Sequence, residues 1–327
     1  MKIAVFSAKK YDQESFRQWA DDSLEFSFFD APLNQHSAGF AQGCQAVCVF
    51  VNDDLSKPVL AELSAMGVGM VALRCAGFNN VDLAAARELG LRVARVPAYS
   101  PEAVAEHTVA MILCLNRKLH KAYNRVRDDN FALDGLLGFN LHGKTAGLIG
   151  TGRIGVATAK ILLGFGMRLL CYDIKKDQDL EKAGVSYVPL EQLWAQSDMI
   201  SLHCPLTPQT QHIINDHSLA QMKDGVMLIN TSRGGLIDTK AVIKALKNRK
   251  IGHLGLDVYE QEADLFFQDL SGQLIDDEVF KRLLTFPNVL ITGHQAFFTQ
   301  EALQQICQVT SDNLLAFKAN RLIGNEL

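Results

Sequence analysis

The 327 residues of this chain contain no uninterrupted apolar stretch approaching the roughly 20 residues a helix needs to cross a bilayer, so a membrane-spanning role is not expected. Nor is there a run rich in lysine and arginine. With 32 basic and 36 acidic side chains the net charge is −4, a balance that disfavours nucleic acid or an anionic membrane surface as the main partner. Cysteine supplies no framework either. The seven cysteines (44, 48, 75, 114, 171, 204 and 307) are odd in number and mostly embedded in apolar runs, and no second Cys/His pair at metal-ligand spacing accompanies Cys44 and Cys48. They read as buried thiols in a reducing cytoplasm, and no metal site is expected. The opening Met1-Lys2-Ile3-Ala4-Val5-Phe6-Ser7 is too short an apolar run for a signal-peptide core and reads as a first buried strand, so the expected location is the cytoplasm. Sequence repeats, low-complexity stretches and flexible linkers are all missing.

What is present is a soluble globular profile, with 48% hydrophobic and 21% charged residues. The length allows two domains, each with its own core. Short apolar runs at 3–6, 46–51, 70–74 and 92–96 alternate with helix-like stretches such as 57–66 and 81–89. Pro97 and Pro101 then bracket a break, and one long helix is expected over 101–123, with Ser100 as N-cap and Pro101 in the first turn. Residues 129–143 are loop-like. A second series begins at Thr145, with later strands at 199–203, 226–230, 253–256 and 289–292, and residues 300–319 read as one amphipathic helix. Two series of βα units imply parallel sheets with helices on their faces. The acidic, poorly periodic 264–277 stretch reads as a surface loop, the alternative being a subunit contact or a flap over the site.

The most informative residues are 144–155, Lys-Thr-Ala-Gly-Leu-Ile-Gly-Thr-Gly-Arg-Ile-Gly. Glycines 150, 152 and 155 follow an apolar run, a helix-like stretch comes next, and a second apolar run ends in Asp173. That is the context a dinucleotide fingerprint requires. Gly150 allows the tight turn, Gly152 lets the backbone approach a pyrophosphate, and Gly155 lets helix and strand pack closely. The helix N-terminus then holds the phosphates. Asp173 accepts hydrogen bonds from the adenosine ribose and repels a 2′-phosphate, which favours NAD over NADP, although Lys175 and Lys176 close behind soften that discrimination.

Three polar clusters follow at strand ends, where ligands bind in an open parallel sheet. In Asn230-Thr231-Ser232-Arg233-Gly234-Gly235, the Arg233 guanidinium can grip a carboxylate through two parallel bonds, beside glycines that let a ligand approach the backbone. The second cluster is Leu256-Asp257-Val258-Tyr259-Glu260-Gln261-Glu262, and the third, Thr292-Gly293-His294-Gln295-Ala296-Phe297-Phe298, places His294 just past a strand. Hydride transfer to a carbonyl also needs a proton, which histidine suits near neutral pH, and a neighbouring carboxylate would hold the imidazolium.

With these residues in place the chain resembles, over essentially its full length, the D-isomer-specific 2-hydroxyacid dehydrogenase family. The family pattern of glycine fingerprint, Arg before Gly-Gly, Glu five residues after the Asp of Leu-Asp-Val, and His falls on Arg233, Glu262 and His294, with Glu260 as the nearby competitor. The runs Gly293-His294-Gln295-Ala296-Phe297-Phe298-Thr299 and 97–107 resemble the fermentative D-lactate dehydrogenase subgroup. The resemblance implies two doubly wound parallel-sheet domains with a cleft between them: a flavodoxin-like substrate domain, discontinuous over 1–99 and 298–327, and a Rossmann NAD-binding domain over 100–297. It further implies that Arg233 binds the substrate carboxylate, that His294 donates the proton and that Glu262 pairs with it. Arg153, Ile154, Cys204, Pro205, Thr231, Ser232 and Arg233 would line the cofactor, with Asp257 near the nicotinamide carboxamide. Ala76 and Gly77 would offer backbone N–H groups to the substrate, and Tyr99 and Phe298 would close around a small methyl-bearing one, along with Arg233 and His294.

The implied function is NADH-dependent reduction of pyruvate to D-lactate by a homodimer or homotetramer. Hydroxypyruvate, glyoxylate or phenylpyruvate are the alternative substrates. An NAD-sensing binding protein is the reading from another class, disfavoured because Arg, Glu and His are all present.

Overall fold

Runs without polar alternation, such as Ala46-Val47-Cys48-Val49 and Met70-Val71-Ala72-Leu73, require cover on both faces. In the computed structural model, which describes residues 1–327 apart from the side chain of Asp264, they are fully buried neighbouring strands of a parallel sheet. The chain forms two units, Met1–Ser100 with Phe298–Leu327, and Pro101–Phe297.

The first unit carries strands β1 (Lys2–Val5), β2 (Glu25–Phe28), β3 (Ala46–Val49), β4 (Met70–Leu73) and β5 (Arg92–Arg95). Their order is β2-β1-β3-β4-β5, with every pairing parallel, which is the flavodoxin-like winding. Helices α1 (Lys10–Trp19), α2 (Lys57–Ala65) and α3 (Leu83–Glu88) connect them.

The second unit holds seven strands: β6 (Thr145–Ile149), β7 (Arg168–Tyr172), β8 (Ser186–Tyr187), β9 (Met199–Leu202), β10 (Val226–Asn230), β11 (Ile251–Leu256) and β12 (Val289–Ile291). Its helices are α4 (Pro101–Arg117), α5 (Leu119–Arg127), α6 (Arg153–Gly164), α7 (Gln178–Lys182), α8 (Leu190–Gln196), α9 (Asp216–Gln221), α10 (Thr239–Lys247) and α11 (Glu278–Leu284). The sheet order β12-β11-β10-β9-β6-β7-β8 is all parallel and reverses direction between β6 and β9. That reversal opens a crevice at the strand carboxyl ends. Apolar clusters cover both faces, one built around Leu228, Leu254 and Leu283, the other around Ile112, Leu148 and Leu162. The last helix, α12 (Gln300–Lys318), belongs to the first unit, where Cys307 and Leu314 join the core.

Two expectations are corrected. The single helix over 101–123 is two helices, because Lys118 adopts a left-handed φ of 51° between α4 and α5. Asn116 then clasps the following loop, accepting from the Phe139 amide and donating to its carbonyl at 2.8 and 2.7 Å. The 264–277 stretch is only partly a surface loop. Phe266 is buried in the core, and Tyr259 donates its hydroxyl to Asp277, the cap of α11, at 2.8 Å. The side chain of Asp264 lies outside the described residues. No helix among the described residues is long and apolar enough to cross a membrane.

Candidate active site

At the switch point the three fingerprint glycines have separate physical reasons. Gly150 has a φ of 96°, and a Cβ there would lie 2.5 Å from the backbone of His203 and Cys204. Gly155 packs so tightly that a Cβ would meet the Gly150 carbonyl oxygen at 2.1 Å. Gly152, the N-cap of the 12-residue α6, is different: nothing lies within 4 Å of where its Cβ would be. The opening that a side chain would fill is at the positive end of a helix, which fits a pyrophosphate. Arg153 is exposed and Ile154 half-buried at the start of α6, while Cys204 is buried and Pro205 exposed beyond β9.

Asp173 sits at the end of β7 and organises the same turn. One carboxylate oxygen accepts from the Thr151 amide at 2.5 Å and its hydroxyl at 3.2 Å, and the other accepts from the Lys175 amide at 3.0 Å. The oxygen that accepts from the Lys175 amide keeps a lone pair for a ribose hydroxyl. The residues present therefore fit a dinucleotide.

The Arg233 turn leaves β10 by a defined network. Asn230 is fully buried, donating its amide to the Arg233 carbonyl at 2.8 Å and accepting from the Ser232 amide at 3.0 Å. Ser232 donates to the Cys204 carbonyl at 2.8 Å, and Thr231 shares a 2.8 Å hydrogen bond with Thr108 of α4. Arg233 itself donates from Nη1 to the Ser232 carbonyl at 2.7 Å. The adjacent glycine serves packing rather than ligand approach: a Cβ on Gly234 would lie 2.1 Å from the Tyr259 carbonyl carbon. This contact joins the Arg233 turn to the strand end that carries Glu262.

His294 and Glu262 are in direct contact, Nδ1 to Oε1 at 2.7 Å, each side chain 16% exposed. A carboxylate only accepts, so Nδ1 carries the shared hydrogen and Nε2 is left for another partner. The second Glu262 oxygen accepts from the Tyr259 amide at 2.9 Å. The competitor Glu260 turns elsewhere, to His212 at 2.7 Å and the Thr239 hydroxyl at 2.8 Å. His294 stands in a left-handed conformation, φ 54°, fixed by Asp257. The Asp257 carbonyl accepts from the His294 amide at 2.7 Å, and its carboxylate accepts from the Gln295 and Ala296 amides, both at 2.9 Å, and from Thr292 at 2.5 Å. Burial alone would push the Asp257 carboxyl up, but hydrogen bonds from His107, Thr292 and the two amides hold it below the usual carboxylate range. Implied as a cofactor contact, Asp257 is fully buried, and these partners make it the brace of the His294 loop.

His107 and Thr108 were missed from the sequence. His107 lies 3.4 Å from the Asp257 carboxylate and 3.2 Å from the Thr292 hydroxyl, so α4 supports both the Arg233 turn and the His294 loop. His107 closes the 97–107 run, but no local signal marks either supporting role, because the partners Asp257, Thr292 and Thr231 are far away in the chain.

In the first unit, Ala76 and Gly77 follow β4 in a turn anchored from behind by fully buried Arg74, which donates to Asp12 at 3.2 Å and to the Ser7 carbonyl at 2.9 Å. Arg95 donates to the Ala76 carbonyl at 2.8 Å. Tyr99 is half-buried, and Phe298 is 48% exposed with its ring edge-on to Tyr11 at 4.8 Å.

A doubly wound sheet with an open glycine turn, a strand-end arginine and a Glu–His pair defines a nicotinamide-dependent oxidoreductase. The family model for the D-isomer specific 2-hydroxyacid dehydrogenase NAD-binding domain matches residues 109–296. The D-lactate dehydrogenase of Escherichia coli K12 is 57% identical over 328 residues, covering 100% of both chains. Among solved structures, the pyruvate reductase of Chlamydomonas reinhardtii superposes with a TM-score of 0.93 at 45% identity, covering 99% of this chain and 98% of that one. The D-lactate dehydrogenase of Aquifex aeolicus, complexed with NAD and lactic acid, superposes with a TM-score of 0.88 at 35% identity and the same coverage. The chain belongs to the D-isomer specific 2-hydroxyacid dehydrogenases, and NAD is its cofactor.

Proposed function

We propose that this chain is a D-lactate dehydrogenase that reduces pyruvate with NADH. The observation that carries the chemistry is the His294–Glu262 contact, which occupies Nδ1 and leaves Nε2 as the nitrogen available to the substrate. Full-length identity of 57% with the E. coli D-lactate dehydrogenase supports the substrate.

In this reading NADH supplies the hydride, delivered to the keto carbon of pyruvate. Arg233 holds the substrate carboxylate with its planar fork and polarises the adjacent ketone. As the carbonyl oxygen gains charge, His294 Nε2 hands it a proton, and Glu262 holds the imidazole in register. One pyruvate, one NADH and one proton become one D-lactate and one NAD. Gly150, Gly152, Gly155, Arg153 and Ile154 cradle the pyrophosphate, Asp173 takes the ribose, and Cys204, Pro205, Thr231 and Ser232 line the rest of the cofactor site. Residues 1–99 and 298–327 form the substrate domain, offering the backbone of Ala76 and Gly77 and the rings of Tyr99 and Phe298, and residues 100–297 form the cofactor domain. The cytoplasm is the proposed location.

NADH oxidation with pyruvate, hydroxypyruvate, glyoxylate and phenylpyruvate tests the substrate, followed by the reverse reaction with D- and L-lactate. The highest kcat/KM is expected on pyruvate, with reverse activity on the D-isomer alone. One methylene in an apolar pocket is worth only about 1–3 kcal/mol, so slightly larger keto acids should also turn over. A higher kcat/KM on another of these acids would replace pyruvate as the substrate.

The protein is further proposed to be a homo-oligomer. Tyr123, Val126, Phe131, Leu133 and Leu137 on and after α5 are between 52% and 88% exposed, an apolar concentration that a second copy would cover. Light scattering is expected to give at least a dimer, and a monomer at micromolar concentration would contradict the assignment.

A further inference from the structure

Phe267 lies against the imidazole of His294, with ring centroids 5.5 Å apart and planes tilted by 40°. Its backbone φ of 64° is a conformation that few bulky residues adopt, and such outliers gather where surrounding structure requires them. Here the left-handed residue ends a single turn. The Leu265 and Phe266 amides both donate to the Glu262 carbonyl, at 3.0 and 2.8 Å. Consecutive aromatic side chains part at that point: Phe266 enters the core beside Phe280, ring centroids 6.1 Å apart, and Phe267 meets His294. One short turn therefore carries two groups that contact the imidazole, the Glu262 carboxylate on Nδ1 and the Phe267 ring.

We infer that Phe267 is a positioning residue for proton delivery, its ring limiting the rotation of the His294 imidazole and its exposure to water. The hydrogen bond to Glu262 tethers one edge of the imidazole but leaves the ring free to pivot about that tether. A neighbouring aromatic wall removes this freedom, keeping Nε2 aimed in one direction. The inference rests on the assignment of His294 as the proton donor.

Phe267→Gly is the informative variant, because glycine adopts a positive φ without steric cost and so removes the ring while relieving the backbone. Its kcat with pyruvate should fall about tenfold, the scale of a small misalignment at a reacting group, with KM for NADH unchanged. Phe267→Leu, which restores apolar bulk, should recover kcat to within about threefold of the parent. In the resting enzyme without substrate, diethylpyrocarbonate should acylate His294 several-fold faster in Phe267→Gly, read by peptide mass spectrometry, with the His212 rate unchanged. Parent-like kcat in Phe267→Gly, or an unchanged acylation rate at His294, overturns the inference. The acylation measurement involves no keto acid, so a failure of the pyruvate assignment would appear in the substrate series and leave this readout intact.

Discussion

His294→Gln is expected to fold, to bind NADH as tightly as the parent and to reduce pyruvate about 10³-fold more slowly, within the range that general acid catalysis contributes. Glutamine keeps a hydrogen-bonding amide of similar reach, so it can still engage Glu262, but it has no proton to give near neutral pH. The loss should therefore appear in kcat, with KM for NADH unchanged. The left-handed φ of 54° is a complication, since glutamine is less at ease there than histidine. Asparagine tolerates that conformation, so His294→Asn serves as the backbone control. Equal losses in the two variants assign the effect to the missing proton. Stopped-flow single turnovers with preformed enzyme–NADH complex make the comparison directly, and parent-like turnover in either variant removes His294 from the acid role.

Much of this site was legible because its signals are local. The glycine turn is a short segment between two apolar runs, in which Gly150 and Gly155 have steric reasons and Gly152 leaves open space. Position at strand ends marks Arg233 and His294, the resemblance to the family pattern is what singles out Glu262, and Glu262 rather than Glu260 is the residue that reaches the imidazole. The parallel sheets were legible from unbroken apolar strands, whereas β2, with alternating exposure, and the two-residue β8 lie at sheet edges and give weak patterns.

What was not legible depends on partners distant in sequence. Thr108 meets Thr231 across 123 positions, and Thr292 meets Asp257 across 35. Gly234 looked suited to admitting a ligand, yet the backbone of Tyr259 occupies the space its side chain would take. The His294 loop shows the same limit. Glycine is the ordinary choice for a left-handed residue, but here that conformation falls on His294 rather than Gly293, because Asp257 binds the amides on either side of the bend. Phe267 is a further case: nothing in Leu265-Phe266-Phe267 says which aromatic enters the core, and in the fold it is Phe266 that is buried while Phe267 takes the positive φ.

Arg233→Lys should retain NADH binding and lose about 10²-fold in kcat/KM for pyruvate, equivalent to about 3 kcal/mol of transition-state stabilisation. Charge is conserved in this substitution, so the loss reports geometry. A guanidinium presents parallel donors that match a carboxylate, whereas an ammonium is a single point that satisfies one oxygen at a time. The structure adds a second cost. Arg233 donates from Nη1 to the Ser232 carbonyl, a bond that orients the guanidinium within a turn already fixed by Asn230 and Thr231. A lysine ammonium that kept this bond would be drawn away from the substrate, and one that reached the substrate would abandon it. KM for pyruvate should therefore rise, and kcat should fall too, because the adjacent ketone is no longer polarised from a fixed direction. Buried Asn230 separates support from contact: Asn230→Ala should disturb the turn and weaken stability, while Arg233→Lys should leave thermal unfolding unchanged. Steady-state kinetics over a pyruvate titration at saturating NADH reads the split, and unchanged KM and kcat in Arg233→Lys would remove the guanidinium from substrate recognition.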